Sequence, residues 1–384
     1  MKKDFADRVL GVVLGTAYGD ALGATIEKLS YEQIKTRYGE IQDIRHAWYK
    51  AEYPAAERNN RMRGFGIVTD DTLMTVALIQ TYLKYQRHID SWDMGKEFVR
   101  QLVYEKRYIP EFGHEAVIQD RLFYPEKYIF QRHVLANCEP REGGYGNMIN
   151  CGAAMYVAPI GVMNAGNPQR AYDEAILFAC GHQASYGLEA AGVLAACVAA
   201  AFIANAVIAD IVAAALAVAK DGTKKAIQSM VVEATRLREK EIFDQDVVVN
   251  AFHQVMQQYS PMGDDVARRE DKLGIPSDHY TPSRLYSIEE LPMALGYLVL
   301  YDGDFKQAVI KAINSGRDTD SIGVMVSVIC GAMQGSQIIS KEDRDLLEEV
   351  NRLALRENAA SLATTARKVI ARDISLAQQQ ETVL

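Results

Sequence analysis

Gly11-Val12-Val13-Leu14-Gly15-Thr16-Ala17-Tyr18-Gly19-Asp20-Ala21-Leu22-Gly23 sets a glycine at every fourth position of a mostly apolar run. The habit returns near the other end of the chain, at Gly323, Ser327, Gly331 and Gly335. A four-residue repeat lines small residues along one face of a helix and leaves a groove there. Glycine costs about 1 kcal/mol relative to alanine inside a helix, so the seven glycines among these eight positions call for a compensation. Close packing of core helices supplies it for most of them.

Outward from these two runs the periodicity is helical and alternating strand-like runs are scarce. Helices are expected at about 5–27, 71–87, 92–104, 168–180, 185–218, 223–258 with a break near Phe243, 287–300, 304–315, 320–337 and 342–376. The fold class is therefore all-α, a compact multi-helix orthogonal bundle in one domain over 1–384, with a frayed polar tail at 378–384. Two long polar stretches interrupt the helices. One is 45–66, with Trp48, Tyr53, four arginines and two asparagines; the other is 259–286, with three prolines. Loops of that length in a compact domain are usually functional or disordered.

Composition excludes several classes. Of the 384 residues 49% are hydrophobic and 24% charged, a soluble globular balance, and a net charge of −8 without a basic run disfavours nucleic acid as a partner. Residues 190–209 carry no charge and are long enough to span a bilayer, but alanine dominates them, and they read as a buried core helix rather than a membrane span. The five cysteines form no paired motif, and the N-terminus lacks an apolar signal segment, so a reducing cytoplasm is the expected setting.

Carboxylates carry the chemistry. Asp20 and Glu27 stand seven apart, hence on one helix face. Thr69-Asp70-Asp71-Thr72 precedes an apolar run, where a threonine cap and an acidic first turn would be a sufficient structural explanation. Arg317-Asp318-Thr319-Asp320-Ser321 fits that explanation less well. On a regular helix Asp318 and Asp320 would point about 200° apart. They converge only in a turn ahead of the helix. Hard cations give a reason for such gathering: Mg²⁺ takes oxygen ligands at about 2.0–2.1 Å, and two ions about 3.5–4 Å apart need several carboxylates in one place. No Cys/His cluster suits Zn²⁺.

These motifs carry a resemblance. Gly15-Thr16-Ala17-Tyr18-Gly19-Asp20-Ala21-Leu22-Gly23 with Glu27, then Thr69-Asp70-Asp71-Thr72, then Gly316-Arg317-Asp318-Thr319-Asp320-Ser321-Ile322-Gly323, make the sequence resemble the ADP-ribosylglycohydrolase family over about 8–337. Gly152-Ala153-Ala154-Met155-Tyr156-Val157-Ala158-Pro159 and Gly181-His182 follow in the family's order. The resemblance implies two Mg²⁺ ions, with Mn²⁺ as a substitute, held by Thr69, Asp70, Asp71, Asp318, Asp320 and Ser321. It implies that the metals hold ribose hydroxyls and polarise a water, with Glu27, Asp71 or Asp320 as its base. Asn150, Cys151, Gly152, Tyr156, His182 and Arg317 are the substrate-binding candidates. The chain departs from the family pattern in two places. Arg317 stands for a glycine, and the usual Gly-Asn-Gly and Met-Arg read Asn150-Cys151-Gly152 and Met155-Tyr156.

The expected activity is hydrolysis of an N- or O-ribosyl bond, in a small-molecule ribosyl substrate, such as a nucleoside, or in an ADP-ribosylated protein. Loss of the usual arginine weakens the case for a diphosphate more than the case for ribose. A non-catalytic, crystallin-like or ligand-binding role and a metal-dependent phosphoester hydrolase are the alternatives. No feature of the sequence sets the oligomeric state.

Overall fold

A computed structural model describes residues 4–259 and 289–383. The polar stretch expected at 259–286 thus lies, beyond its first residue, outside the described residues. The fold is all-α, with one short antiparallel hairpin, Lys106–Ile109 against His114–Val117.

The two glycine-striped segments pack against each other. They form the helices Phe5–Ala24 and Thr319–Gln334, and they run antiparallel. A Cβ placed on Gly11, Gly15, Gly19 or Gly23 would sit 2.6, 2.7, 2.2 or 2.2 Å from the backbone oxygen of Gly331, Ser327, Gly323 or Thr319 respectively. No side chain fits there. The backbones meet directly, with the Cα–H to carbonyl contacts that such closeness allows. Thr319 closes the pair at one end, its hydroxyl donating to the Gly23 carbonyl at 2.7 Å. Arg8 closes the other, donating to Ala332 at the end of one helix and to Ala201 and Phe202 at the end of another, Ser185–Ala201.

Around this pair pack Asp70–Tyr85, Ser185–Ala201 and the long C-terminal helix Leu355–Glu381. The uncharged run at 190–209 is the buried part of Ser185–Ala201 and the turn after it, and among the described residues no helix is long and apolar enough to cross a membrane. The helix expected over 185–218 divides at that turn, where Asn205 is left-handed and Arg8 takes the final carbonyls. The helix expected over 342–376 divides likewise, into Lys341–Asn351 and Leu355–Glu381, because Arg352 and Ala354 are left-handed. The tail expected to fray is helical through Glu381, although exposed.

Gly19→Ala should lower the melting temperature by several degrees, since overpacking a filled interface costs about 1–3 kcal/mol. Thermal denaturation followed by circular dichroism checks this; an unchanged midpoint would mean that the helix contact is looser than described.

Candidate metal centre

The antiparallel pairing brings the end of one helix beside the start of the other. Glu27 lies just past Ala24, and Asp318 is the non-helical residue before Thr319. Between them Lys28 N–H donates to Arg317 O at 2.9 Å and Arg317 N–H to Leu29 O at 2.8 Å. This short ladder fixes Glu27 against the turn that carries Asp318. With Asp318 outside the helix and Asp320 in its first turn, the two aspartates converge: oxygen atoms of Glu27, Asp318 and Asp320 lie within 4.8 Å of one another. The helix begins at Thr319, so only Asp318 stands in the turn ahead of it and not both aspartates, as the sequence reading had required for their convergence.

Asp20 recruits the third segment. Fully buried in the Phe5–Ala24 helix, its carboxylate accepts from Thr69 N–H at 2.9 Å and Thr72 N–H at 3.1 Å, and from the Thr72 hydroxyl. It thereby caps the Asp70–Tyr85 helix from outside, a task that Thr69 does not perform with its own side chain. The loop ahead of that helix is pinned by Asn351, whose amide donates to Gly66 O at 2.8 Å and accepts from Val68 N–H at 3.0 Å. Asp71 then meets Asp320 and Asp20 within 4.8 Å, and the Ser321 hydroxyl donates to Asp71 at 3.1 Å.

The result is a cleft of about 900 Å³, counting its open mouth, on whose wall Glu27, Asp70, Asp71, Asp318, Asp320 and Ser321 all appear. Asn150, Cys151 and Gly152 line the same cleft. Cys151 Sγ lies 3.0 Å from Asp318 Oδ2 and 3.3 Å from Ser321 Oγ. Burial and the neighbouring carboxylates push that thiol well up, so it stays protonated and donates. Four candidates are not on the wall. Thr69 is buried, its hydroxyl 3.3 Å from Asp71. Tyr156 and His182 are buried behind the loop and bonded to each other at 3.0 Å. Arg317 pairs at 2.6 Å with Glu289, so its place near the substrate is not supported by contact.

Several residues beyond the motifs enter the cleft. Glu126, ion-paired with His182 and bonded to Asn150 and Asn147, anchors the Asn150–Gly152 loop. A buried chain of alternating charges runs Glu27, Arg63, Glu111, Arg121, Asp70, each ion-paired with the next. Burial alone would raise Glu27 and Glu111, but lysine and arginine outweigh it: Lys28 and Arg63 hold Glu27 well down, and Arg121 and Arg63 hold Glu111 at about 2. Asp71 and Asp320 behave oppositely. Burial and adjacent carboxylates push both well up, and burial lifts Asp20 to about 6. The donors are carboxylate and hydroxyl oxygens in close groups, which fits a hard divalent cation: Glu27, Asp70, Asp71, Asp318, Asp320 and Ser321 would hold it.

The ADP-ribosylglycohydrolase family pattern matches residues 1–375, further in both directions than the motifs alone implied, and the chain belongs to that family. It is 25% identical over 361 residues to the uncharacterized protein YegU of Escherichia coli (strain K12), covering 93% of this chain and 96% of that one. Against an uncharacterized protein of Archaeoglobus fulgidus the identity is 28% over 350 residues, 88% and 92% of the two chains. The ADP-ribosyl-[dinitrogen reductase] glycohydrolase of Rhodospirillum rubrum is 35% identical over 92 residues, 24% of this chain and 27% of that one. A solved structure described as an ADP-ribosylglycohydrolase-related protein complex shares the fold, with a TM-score of 0.61 at 20% identity, covering 94% of this chain and 99% of that one.

A pH dependence follows from the raised aspartates. A carboxyl whose proton affinity is higher in the folded than in the unfolded chain contributes stability that is full below the unfolded value, near 3.8, and is lost as pH rises through the folded value, about 6 for Asp20. In EDTA the protein should therefore melt higher at pH 5.5 than at pH 8. Added Mg²⁺ should stabilise it more at pH 8, where the carboxylates are ionised. Equal melting at the two pH values in EDTA would contradict the raised affinities.

Proposed function

We propose that the chain is a Mg²⁺-dependent hydrolase of an N- or O-ribosyl bond, using two ions in the carboxylate cleft, with Mn²⁺ able to replace Mg²⁺. The observation that carries this reading is the meeting of Glu27, Asp70-Asp71 and Asp318-Asp320-Ser321 in one opening, from three distant parts of the chain. Five carboxylates crowded together repel one another, and cations relieve that repulsion. The bound ions would supply Lewis acidity and a place for vicinal ribose hydroxyls.

The chain's own groups do the rest. Asp71 and Asp320, deepest in the cluster, serve as cation ligands and lose their raised proton affinity when cations bind. Glu27 stands at the edge of the cluster, ionised through Lys28 and Arg63, and accepts the proton of the attacking water as its oxygen bonds to C1″ and the old C1″ bond breaks, the proton then passing to the departing nitrogen or oxygen. Asn150, Cys151 and Gly152, anchored by Glu126, form the opposite wall against the sugar. Tyr156 and His182 act behind it, as supports of Glu126. The substrate is a small ribosyl compound or an ADP-ribosylated protein, and the reaction is placed in the cytoplasm.

Mass-spectrometric hydrolysis assays with Mg²⁺ and with EDTA, on ADP-ribosyl peptides, nucleosides and a generic phosphoester, test the reading. Metal-dependent release of ADP-ribose or ribose is expected; turnover of the phosphoester alone would replace this reading with a phosphatase. Glu27→Gln should lower kcat by about 10²-fold or more at saturating Mg²⁺, the usual scale for losing a general base. Asp318→Asn should instead lose Mg²⁺ binding by calorimetry while the fold persists.

A further inference from the structure

The cleft continues past Glu27 into a smaller pocket of about 390 Å³, counting its open mouth. Its wall carries five cations, Lys28, Lys50, Arg58, Arg61 and Arg63, against two carboxylates, Glu27 and Glu57. Trp48 and Tyr49 form its aromatic side, with the Arg63 guanidinium 5.6 Å from the Trp48 ring centre and the Lys50 ammonium 5.5 Å from that of Tyr49. Nothing of the Asn150–Gly152 loop lines this pocket, whereas Glu27, Lys28, Arg61 and Arg63 line both it and the metal-site cleft.

The partners of these charges are unequal. Arg63 is committed to Glu27 and Glu111, and Lys28 lies 3.6 Å from Glu27. Arg58 donates to the backbone oxygens of Tyr53 at 3.2 Å and Arg61 at 2.6 Å. Arg61 donates to the backbone oxygen of Arg121, while its buried Nε meets no acceptor among the described residues. Neither Arg58 nor Arg61 has a carboxylate within ion-pair distance among the described residues. The indole N–H of Trp48, a residue 7% exposed, also lacks an acceptor there. Arg61 lines both this pocket and the metal-site cleft, and so stands at their junction. Burial and the nearby Arg121 lower its proton affinity to about 10.

A largely buried guanidinium without an anion is an expensive thing for a fold to keep. Planar guanidinium groups match phosphate and carboxylate oxygens in pairs, and such charge-assisted bonds are strong. We propose that this pocket is an oxyanion subsite, in which Arg61 and Arg58 bind a phosphate or carboxylate group carried by the substrate beyond the Asn150–Gly152 loop's part of the cleft. That the anion belongs to the substrate rests on the ribosyl-hydrolase reading of the adjoining cleft. That an anion binds does not. The subsite also answers the missing arginine of the Met155-Tyr156 segment: the chain still offers an anionic substrate cationic contacts, but from the 45–66 loop.

Calorimetric titration of the full-length protein in EDTA at low ionic strength, with inorganic phosphate and separately with glutarate, tests the subsite without metal. One saturable site is expected for at least one anion. Tighter phosphate identifies a phosphoryl group as the ligand and tighter glutarate a carboxylate. Arg61→Met should weaken binding at least tenfold, and Arg356→Met, whose partner is Asp345, should leave it as in the unaltered protein. Should Arg61→Met fail to fold, Arg58→Met carries the same expectation. Absence of binding by both anions, or wild-type binding by the folded arginine variant, overturns the subsite. Anion binding together with a silent hydrolysis screen would keep the subsite and discard the ribosyl bond.

Discussion

Everything at the site depends on two helix backbones touching. If Phe5–Ala24 and Thr319–Gln334 were held apart by ordinary side chains, their axes would sit at a typical spacing of about 8–10 Å. The glycines and the small residues opposite them remove that spacer. Because the pairing is antiparallel, one helix's end and the other's beginning coincide, and each end carries carboxylates. Asp20 extends the arrangement to a third element by capping Asp70–Tyr85, so Asp70 and Asp71 arrive at the same place. Three acidic segments scattered over about 300 residues of chain are thus joined by one packing contact and one carboxylate cap.

The electrostatics of that meeting point are divided. On the inner side Asp71 and Asp320 have carboxylate neighbours and little compensation, and their proton affinity is raised. On the outer side Glu27 and Asp70 are compensated by Arg63 and Arg121, which share Glu111 behind them. Lys28 and Arg63 hold Glu27 ionised, whereas Arg121 offsets only part of the burial that raises Asp70, and the inner carboxylates have only protons or added cations to balance them. A cation held at Asp70 or Glu27 would compete with a guanidinium there, and Glu111, which pairs with both arginines, would bear on that balance.

The sequence made the helices and the acidic motifs legible because both are local: a four-residue repeat of small residues and short runs such as Thr69-Asp70-Asp71-Thr72 can be recognised without knowing the fold. The convergence of Asp318 with Asp320 was also readable, since no regular helix allows it. What was not legible depends on distant partners. Asp20 looked like a companion of Glu27, but its cap partners lie some fifty residues away. Glu111 sits in the turn of a small hairpin and Arg121 just after it, in a stretch with no strong periodicity, and only the pairing of Glu111 with Arg63 and Arg121 gives them meaning. The arginines of 45–66 were visible as composition, not as the wall that three of them, Arg58, Arg61 and Arg63, form. The breaks at 202–207 and 352–354 escaped because left-handed Asn205, Arg352 and Ala354 are set by tertiary contacts that an apolar pattern does not record.

Two departures from the family pattern bracket Asp318, and they differ in kind. Arg317 occupies a left-handed position, φ +74°, where a glycine would be unstrained, at a cost of about 1–2 kcal/mol. Its guanidinium turns to Glu289, so this change is absorbed by the backbone and by a buried ion pair outside the cleft wall. Cys151 faces the other way. Its thiol reaches both Asp318 and Ser321, so it alters the surroundings of the oxygen donors themselves. A thiol is a poor ligand for Mg²⁺ but a good one for softer ions. The substitution that looks drastic in sequence, arginine for glycine, is therefore the one that leaves the donor set alone. The quieter one, at Cys151, is the one that touches the oxygen donors.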